Sequence, residues 1–142
     1  MVVYIALDDE NGMMFNNRRQ SQDRVMRQHM LEDCADATLW IAEYSKKLFL
    51  AQDGTSLPDN IIVDDEFLDK AGANDYCFVE NRSLESYMDK IDTFVIFKWN
   101  RLYPADLYFD YSALNTNWNH ISTTEFVGSS HDLITKEVWK RA

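Results

Sequence analysis

A basic cluster lies at the start of a predicted helix in the N-terminal part of the chain. Arg18 and Arg19 precede Ser21, a residue type suited to a helix N-cap, and Arg24 and Arg27 follow within the next two turns. Free backbone amides, the helix dipole and several guanidinium groups at such a point favour binding of a phosphate or carboxylate. The sequence therefore predicts an anion site, and its ligand-binding residues would be Arg18, Arg19, Gln20 and Ser21.

The same arginines have a second interpretation as a structural network. Acidic residues are frequent nearby, at Asp8, Asp9, Glu10 and Asp23, and the chain has a net charge of −10. Ion pairs between these acids and the arginines would fix the loop to the helix without any ligand. Both interpretations stay open at the level of sequence.

Arg101 lies in a second segment that is suited to ligand contact, WNRLYPAD. Two aromatic residues beside an arginine can stack on a base or a sugar. Packing beneath a turn that contains proline explains the same residues without a ligand. Arg101 would join the Arg18 and Arg19 cluster if both segments meet at the sheet edge.

Two acidic triplets, at 8–10 and 64–66, each follow a short apolar run. If the two runs are neighbouring strands, Asp8, Asp9, Asp64 and Asp65 would meet at one sheet edge, where carboxylates can hold Mg²⁺ for phosphoryl transfer. A turn and a helix cap explain the triplets equally well, and we assign no residue to a metal.

The segment Ser129-Ser130-His131-Asp132 contains the side chains of nucleophilic catalysis, but adjacent residues cannot form a catalytic triad. The members of a triad are brought together by folding and not by adjacency in sequence. We predict a polar hairpin loop here. Cys34 and Cys77 have no CxxC spacing and are predicted to be reduced, buried thiols.

The composition is typical of one globular domain spanning residues 1–142. Hydrophobic residues make up 46% of the chain, and only four glycines and two prolines interrupt it. A net charge of −10 disfavours bulk nucleic-acid binding and anionic membrane surfaces. Because no apolar run approaches membrane-spanning length and no signal sequence is evident, we expect a cytoplasmic protein without a membrane partner.

Hydrophobic periodicity predicts alternating strands and helices. The predicted strands are 2–7, 13–15, 38–42, 61–63, 76–80, 93–99, 107–109, 118–127 and 133–140. The predicted helices are 22–35, 43–49, a turn capped by Asp64 that stops at Gly72, and 83–90 capped by Ser83, while 52–60 is a loop. An unbroken helix over 38–49 is an alternative. Asn11-Gly12 favours a hairpin that returns antiparallel to the first strand, the alternative being an extended loop over the sheet edge.

The order of these elements resembles the dihydrofolate reductase-like fold. YIALDDENGMMFNN is similar to the reductases' first strand and substrate loop, QSQDRVMRQHM to their first helix, and IDTFVIFKWNRLYPADLYFD to a later strand, helix and strand. The resemblance implies a single α/β domain, with a mixed sheet flanked by helices and a C-terminal antiparallel strand pair. It also implies that Asp23 falls near the carboxylate that binds the pterin.

The chain departs from the reductase pattern at the positions that serve the cofactor. Reductases carry a glycine pair where this chain has Phe97-Lys98, and their substrate-loop Trp-Pro is replaced near Arg19-Gln20. One helix and one strand of the cofactor half are missing. We therefore expect a reduced form of the fold without NADPH or another cofactor.

The sequence also resembles a family of small bacterial proteins that are often labelled ribonuclease Z. The shared elements are NGM-FN-RRQS-DR, W-R-YPAD and GSSH. A zinc-dependent nuclease of that kind needs a His-x-His-x-Asp-His cluster, and His29, His120 and His131 lack that spacing.

Our leading hypothesis is a small domain that binds an anionic small molecule or nucleotide. Its predicted ligand-binding residues are Arg18, Arg19, Gln20, Ser21, Asp23 and Arg101. The alternative is a structural or protein-interaction module in which the arginines are internal ion pairs and assembly, for example into a homo-oligomer, is the function. A Mg²⁺-dependent enzyme acting on phosphate esters is the third hypothesis.

Overall fold

The computed structural model describes residues 1–51 and 54–142. Its strands are β1 (Val2–Leu7), β2 (Gly12–Phe15), β3 (Arg18–Arg19), β4 (Leu39–Ile41), β5 (Ile61–Val63), β6 (Tyr76–Phe78), β7 (Thr93–Lys98), β8 (Leu107–Tyr108), β9 (Trp118–Phe126) and β10 (Ile134–Arg141). Its helices are α1 (Arg24–Asp33), α2 (Lys46–Phe49) and α3 (Phe67–Lys70), with 3-10 turns at Glu43–Ser45, Glu85–Lys90 and Tyr111–Asn115. The predicted loop 52–60 includes residues 52 and 53, which lie outside the described residues.

A seven-stranded mixed sheet forms the centre of the fold, in the order β5-β4-β6-β1-β7-β10-β9. The first five strands in this order are parallel. β10 pairs antiparallel with β7, and β9 pairs antiparallel with β10. The predicted C-terminal antiparallel pair is therefore confirmed. Because all the parallel strands run the same way, the segments that leave their carboxyl ends meet at one edge of the sheet.

Alternating side chains on the central strands bury both faces of the sheet. Val3, Ile5 and Leu7 of β1 pack into one core with Phe94 and Ile96 of β7. Tyr4, Val95 and Phe97 point to the opposite core, where Met26 and Met30 of α1 and its C-cap Cys34 cover them. The predicted i, i+4, i+8 face of this helix is therefore its buried face.

The start of α1 differs from the prediction, because Asp23 and not Ser21 is its N-cap. Asp23 has an extended backbone, and its carboxylate accepts hydrogen bonds from the amides of Val25 and Met26. Ser21 lies outside the helix, and its hydroxyl contacts His131. A carboxylate and a serine hydroxyl are comparable caps, so local propensity did not separate the two positions.

The Asn11-Gly12 turn is present, but β2 does not return along β1. Asn11 has a φ of 66°, and the amide of Asn11 donates to the carbonyl of Asp8. After the turn, β2 pairs with β3 and β8 in a separate three-stranded sheet. The predicted antiparallel hairpin between the first strand and residues 13–15 was therefore wrong. The alternative, an extended segment over the sheet edge, is closer to the structure.

The smaller helices largely follow the predicted pattern. The segment 43–49 is a 3-10 turn continued by α2, and the segment predicted as a helix at 83–90 is a 3-10 turn over Glu85–Lys90. Asp64 caps the turn before α3, where its Oδ1 accepts the Glu66 amide at 2.8 Å. Among the described residues, no helix is both long enough and apolar enough to span a membrane.

Candidate functional site

The candidate site lies where β1 and β7 end at the carboxyl edge of the central sheet. Asp8 follows β1 and Trp99 follows β7. The amide of Asp9 donates to the carbonyl of Arg101 at 3.0 Å, which joins the two exits. The segment from β3 to α1 and the loop before β10 lie against this edge.

Asp23 is the most heavily hydrogen-bonded carboxylate of the site. Its Oδ1 accepts the amides of Val25 at 2.9 Å, Met26 at 3.1 Å and Ser129 at 3.1 Å. Its Oδ2 accepts the amide of Ser130 at 2.8 Å and lies 3.1 Å from His131 Nδ1. One carboxylate therefore joins the start of α1 to the loop 128–132.

These donors keep Asp23 ionised although its side chain has no exposed surface. Burial alone would favour the neutral acid, but the amides of Ser130 and Ser129 and the imidazole of His131 outweigh it and lower the pKa of Asp23 to about 2. An ionised carboxylate offers only acceptors. His131 Nδ1 must therefore carry the hydrogen that lies between the two side chains.

His131 presents its other nitrogen to two hydroxyl groups. Nε2 lies 3.2 Å from the Ser21 hydroxyl and 3.0 Å from the Tyr103 hydroxyl. The ring of Trp99 stacks on the imidazole with a centroid separation of 4.5 Å. The imidazole is thus fixed in position and orientation by four side chains from two segments of the chain, 21–23 and 99–103.

Arg19 is held by a carboxylate and an aromatic ring. Its Nε donates to Glu80 Oε2 at 2.9 Å and its Nη2 to Glu80 Oε1 at 3.1 Å, while the guanidinium carbon lies 4.5 Å from the centre of the Tyr44 ring. Partial burial lowers the pKa of Arg19, but the Glu80 carboxylate outweighs that effect and raises it. Ser45 also donates to Glu80 Oε1, at 2.7 Å. This part of the basic cluster is a structural ion pair.

Gln20 is held by the first acidic triplet. Its Nε2 donates to Asp8 Oδ2 at 2.9 Å and to the Pro104 carbonyl at 3.2 Å. Asp8 is buried and also accepts the amides of Gly12 at 2.7 Å and Glu10 at 2.9 Å. Gln20 Oε1 is buried and has no hydrogen-bond partner among the described residues.

Arg18 and Arg101 differ from Arg19 because both side chains are exposed and neither forms an ion pair within the described residues. Each lines an open groove. The Arg18 groove has a volume of about 310 Å³ and is lined by Phe15, Asn16, Arg18, Arg19, Gln20, Tyr103 and Pro104. The Arg101 groove has a volume of about 360 Å³ and is lined by Trp99, Asn100, Arg101, Ser130, His131, Asp132 and Leu133.

The amides at the start of α1 are not available to a ligand. Those of Val25 and Met26 donate to Asp23, and that of Arg24 donates to the Ser129 hydroxyl at 2.9 Å. The expected anion geometry of a helix terminus is therefore occupied by the chain's own carboxylate and hydroxyl. Any external anion has to be bound by side chains.

The two acidic triplets do not come together. They share the carboxyl edge of the sheet, but β4 and β6 separate β1 from β5. The expectation of neighbouring strands was wrong, because the sheet order places the second triplet at the outer edge. Across residues 1–51 and 54–142, no group of three or more histidine, cysteine or acidic side chains is arranged to hold a metal ion.

Comparison of the fold with solved structures gives a clear neighbour. A dihydrofolate reductase from Enterococcus faecalis, solved in complex with NADP(H) and RAB-propyl, matches with a TM-score of 0.64. The match covers 99% of this chain and 95% of that enzyme at 12% sequence identity. The chain has a dihydrofolate reductase-like fold. No protein-family model matches the chain, and no curated protein matches its sequence.

Within this dihydrofolate reductase-like fold, side chains occupy the place where the resemblance puts a glycine pair. Phe97 is fully buried, and its ring lies 6.1 Å from that of Tyr4. Lys98 Nζ lies 3.1 Å from the buried carboxylate of Glu137, which also accepts the Tyr111 hydroxyl at 2.8 Å. The end of β7 therefore lacks the bare backbone that a glycine pair provides.

The sequence does not reveal the partners of His131. Its sequence neighbours are Ser129, Ser130 and Asp132, whereas the structure joins it to Ser21, Asp23 and Tyr103. The sequence does show a polar segment before α1 and another before β10, and the second contains one of the chain's three histidines. Their contact depends on β10 lying next to β7, which no local pattern encodes.

Proposed function

We propose that this chain binds an anionic small molecule or nucleotide in the two grooves that are lined by Arg18 and by Arg101. Arg18 and Arg101 are the proposed cationic contacts. The observation that carries the proposal is that both guanidinium groups stay exposed and unpaired in the described structure, although the net charge is −10. In a chain with an excess of acids, exposed arginines without carboxylate partners favour the binding of an external anion.

The lining of the Arg18 groove suits a ligand that carries a flat ring as well as an anionic group. Phe15 keeps 48% of its surface exposed, and Tyr103 and Pro104 form further apolar wall. The guanidinium carbon of Arg101 lies 5.9 Å from the centre of the Tyr103 ring. Aromatic faces beside guanidinium groups suit a nucleobase attached to a phosphate.

Further arginines lie at the start of α1. Partial burial and the charges of Arg19 and Arg24 lower the pKa of Arg27, against the opposing effect of the Asp23 carboxylate. These arginines are therefore close enough to repel one another. The Asp23 carboxylate is the largest charge effect on Arg27 and offsets part of that repulsion.

The other proposed site residues support the grooves in different ways. The ion pair of Arg19 with Glu80 and the hydrogen bonds of Gln20 with Asp8 and Pro104 fix the segment that carries Arg18. Ser21 and Asp23 fix the loop that borders the Arg101 groove. Preorganised walls reduce the entropy lost on binding.

A thermal-shift screen with ATP, GTP, inorganic phosphate, folate and NADPH tests the proposal. A ligand present at ten times its Kd should stabilise the protein by about 1.4 kcal/mol and raise Tm by about 4 °C. We expect Arg18→Ala and Arg101→Ala to abolish that increase while changing the Tm of the free protein little. Lys140→Ala, at an exposed cation on β10, is the charge-matched control.

The proposal fails if none of these anions raises Tm. It also fails if Lys140→Ala weakens the increase as much as Arg18→Ala does, because the effect would then come from net charge. If Arg18→Ala and Arg101→Ala lower the Tm of the free protein by several degrees, the arginines belong to the structural network.

A protein-interaction function is the second candidate, and the edge strand β9 favours it. Seven of its nine residues are exposed, including Ile121 at 53%, and the strand contains neither proline nor lysine. Those are the residues that commonly protect a sheet edge from pairing. Pairing of β9 with β9 of a second copy would double the molar mass measured by light scattering, and Ile121→Lys should reverse it.

A further inference from the structure

Three side chains from separate positions of the site have the connectivity of a nucleophile, a base and a positioning acid. The Ser21 hydroxyl lies 3.2 Å from His131 Nε2. His131 Nδ1 lies 3.1 Å from Asp23 Oδ2. The sequence order is serine, acid and histidine, and residues 21 and 131 meet only because the loop before β10 lies against the start of α1.

The hydrogen bonds around Asp23 determine which nitrogen of His131 is basic. Four backbone amides and His131 surround the carboxylate, so the Nδ1 hydrogen points to Asp23. In the neutral imidazole, Nε2 then has its lone pair directed to the hydroxyls. The stacked ring of Trp99 prevents the imidazole from turning away.

Two hydroxyls compete for that single lone pair, since the Tyr103 hydroxyl lies 3.0 Å from Nε2. Only one of them can donate to it at a time. A site that served solely to satisfy the imidazole would need only one of the two hydroxyls. The Ser21 hydroxyl can therefore donate to this nitrogen only while the Tyr103 hydroxyl does not.

We propose that Ser21 is a nucleophile that hydrolyses carboxylic esters bearing an anionic group, with His131 as general base and Asp23 as a positioning residue. The substrate class rests on the proposed function, because Arg18 and Arg101 would hold the anionic group. The nucleophile itself does not depend on it. Half-buried Ser21 lines a narrow cavity of about 10 Å³ together with Gln20 of the Arg18 groove and Trp99 of the Arg101 groove, and His131 also lines the Arg101 groove.

The proposed reaction balances with water as the only co-reactant. Ser21 Oγ forms a bond to the ester carbonyl carbon while its proton moves to His131 Nε2. The bond from that carbon to the leaving alcohol oxygen breaks, and the oxygen takes the proton from Nε2. Water then attacks the acyl carbon and gives its proton to Nε2, and Ser21 Oγ leaves with that proton. The products are a carboxylic acid and an alcohol.

Labelling with an uncharged alkyl fluorophosphonate tests the nucleophile without involving Arg18 or Arg101. We expect one covalent adduct, mapped by peptide mass spectrometry to Ser21, with the release of fluoride. Ser21→Ala should lose the adduct and retain the circular dichroism spectrum of the folded protein. The control variant Ser56→Ala changes an exposed serine, and its Ser21 should be labelled at the rate of the wild type.

Tyr103→Phe separates a catalytic role from a structural one. Removing the competing hydroxyl leaves the Nε2 lone pair to Ser21, so labelling should accelerate by about twofold or more. A purely structural hydrogen-bond cluster predicts no acceleration, because loss of one partner only loosens the imidazole. An unchanged or slower rate with a normally folded Tyr103→Phe protein contradicts the proposed competition.

Hydrolysis of 4-nitrophenyl acetate and of the hemiester 4-nitrophenyl succinate distinguishes failure of the nucleophile from failure of the proposed function. We expect Ser21→Ala to lower kcat/KM for both esters by about 10²-fold or more, since it removes the group that His131 activates. Arg18→Ala and Arg101→Ala should reduce only the preference for the succinate.

If Arg18→Ala and Arg101→Ala lose the preference for the succinate ester but are still labelled at Ser21, the protein behaves as an anion-binding esterase. If Ser21 is labelled but the wild type hydrolyses the two esters at equal rates, Ser21 remains the nucleophile and the anionic substrate class is rejected. Absence of an adduct on Ser21, or an adduct on another serine, overturns the inference whether or not anions bind.

Discussion

Replacement of Asp23 by asparagine tests how the start of α1 and the loop 128–132 are held together. Asparagine has the same shape but offers one acceptor oxygen and one amide nitrogen that only donates. If the oxygen keeps the amides of Val25 and Met26, the new NH₂ group faces the Ser130 amide and His131 Nδ1, both of which are donors. The substitution therefore removes two hydrogen bonds to a charged acceptor and buries donors against each other.

The expected loss of unfolding free energy near pH 7 is about 3 kcal/mol or more, since each hydrogen bond to a charged group contributes about 1.5–3 kcal/mol. Part of this loss depends on pH. The pKa of Asp23 falls from 3.8 to about 2 on folding, which corresponds to about 2 kcal/mol. Because the folded-state pKa is the lower one, this contribution is complete above the unfolded pKa and is lost as the pH falls through the folded pKa.

Urea unfolding of the wild type and Asp23→Asn measures both effects. The difference in unfolding free energy between the two proteins should narrow by about 1 kcal/mol between about pH 5 and about pH 3, where roughly half of the Asp23 contribution is lost. Asp132→Asn removes the same charge from an exposed position in the same loop, so its effect serves as the correction for net charge. If the difference in unfolding free energy, corrected with Asp132→Asn, stays constant between about pH 5 and about pH 3, Asp23 is not the ionised group that links α1 to the loop 128–132.

Three further predictions concern other parts of the site and the core. Glu80→Gln should lower the unfolding free energy by about 1–3 kcal/mol in urea titrations, because it leaves Arg19 partly buried without its carboxylate. Gly128→Ala should destabilise the protein by more than about 1 kcal/mol, since its Cβ would overlap the fixed carboxylate of Asp23 and lie 2.9 Å from Ile134 Cδ1; Gly72→Ala, with its nearest contact at 3.4 Å, is the control. Burial raises the pKa of Cys34 to about 11 and that of Cys77 to about 12, so Ellman's reagent should react with both thiols only after unfolding in urea.

The central sheet was largely predictable because its strands are short apolar runs bounded by turn residues. β1 and β7 are buried on both faces, which requires continuous hydrophobic sequence. The sheet order was not predictable in the same way. Whether 64–66 lies beside 8–10 depends on which strands fill the space between them, and that is a property of the whole chain.

The candidate site was predictable in position but not in connectivity. The basic segment does lie at the start of α1, yet Arg19 is paired with a residue 61 positions away and Arg18 is not paired within the described residues. Two adjacent arginines of identical chemistry have different roles because successive residues of β3 point to opposite sides. Sequence can identify a cluster of cations, but the strand that carries them decides which one is free.

The stretch at the helix start is best understood together with the loop before β10, because neither is complete alone. Asp23 needs the amides of Ser129 and Ser130 to remain ionised while buried, and the loop needs Asp23 to satisfy those amides. Gly128 leaves room for the carboxylate, and His131 closes the connection through Nδ1. Once those constraints fix the imidazole, its remaining nitrogen has to face Ser21 and Tyr103. A structural requirement at the helix cap thus also produces the arrangement on which the proposed activation of Ser21 depends.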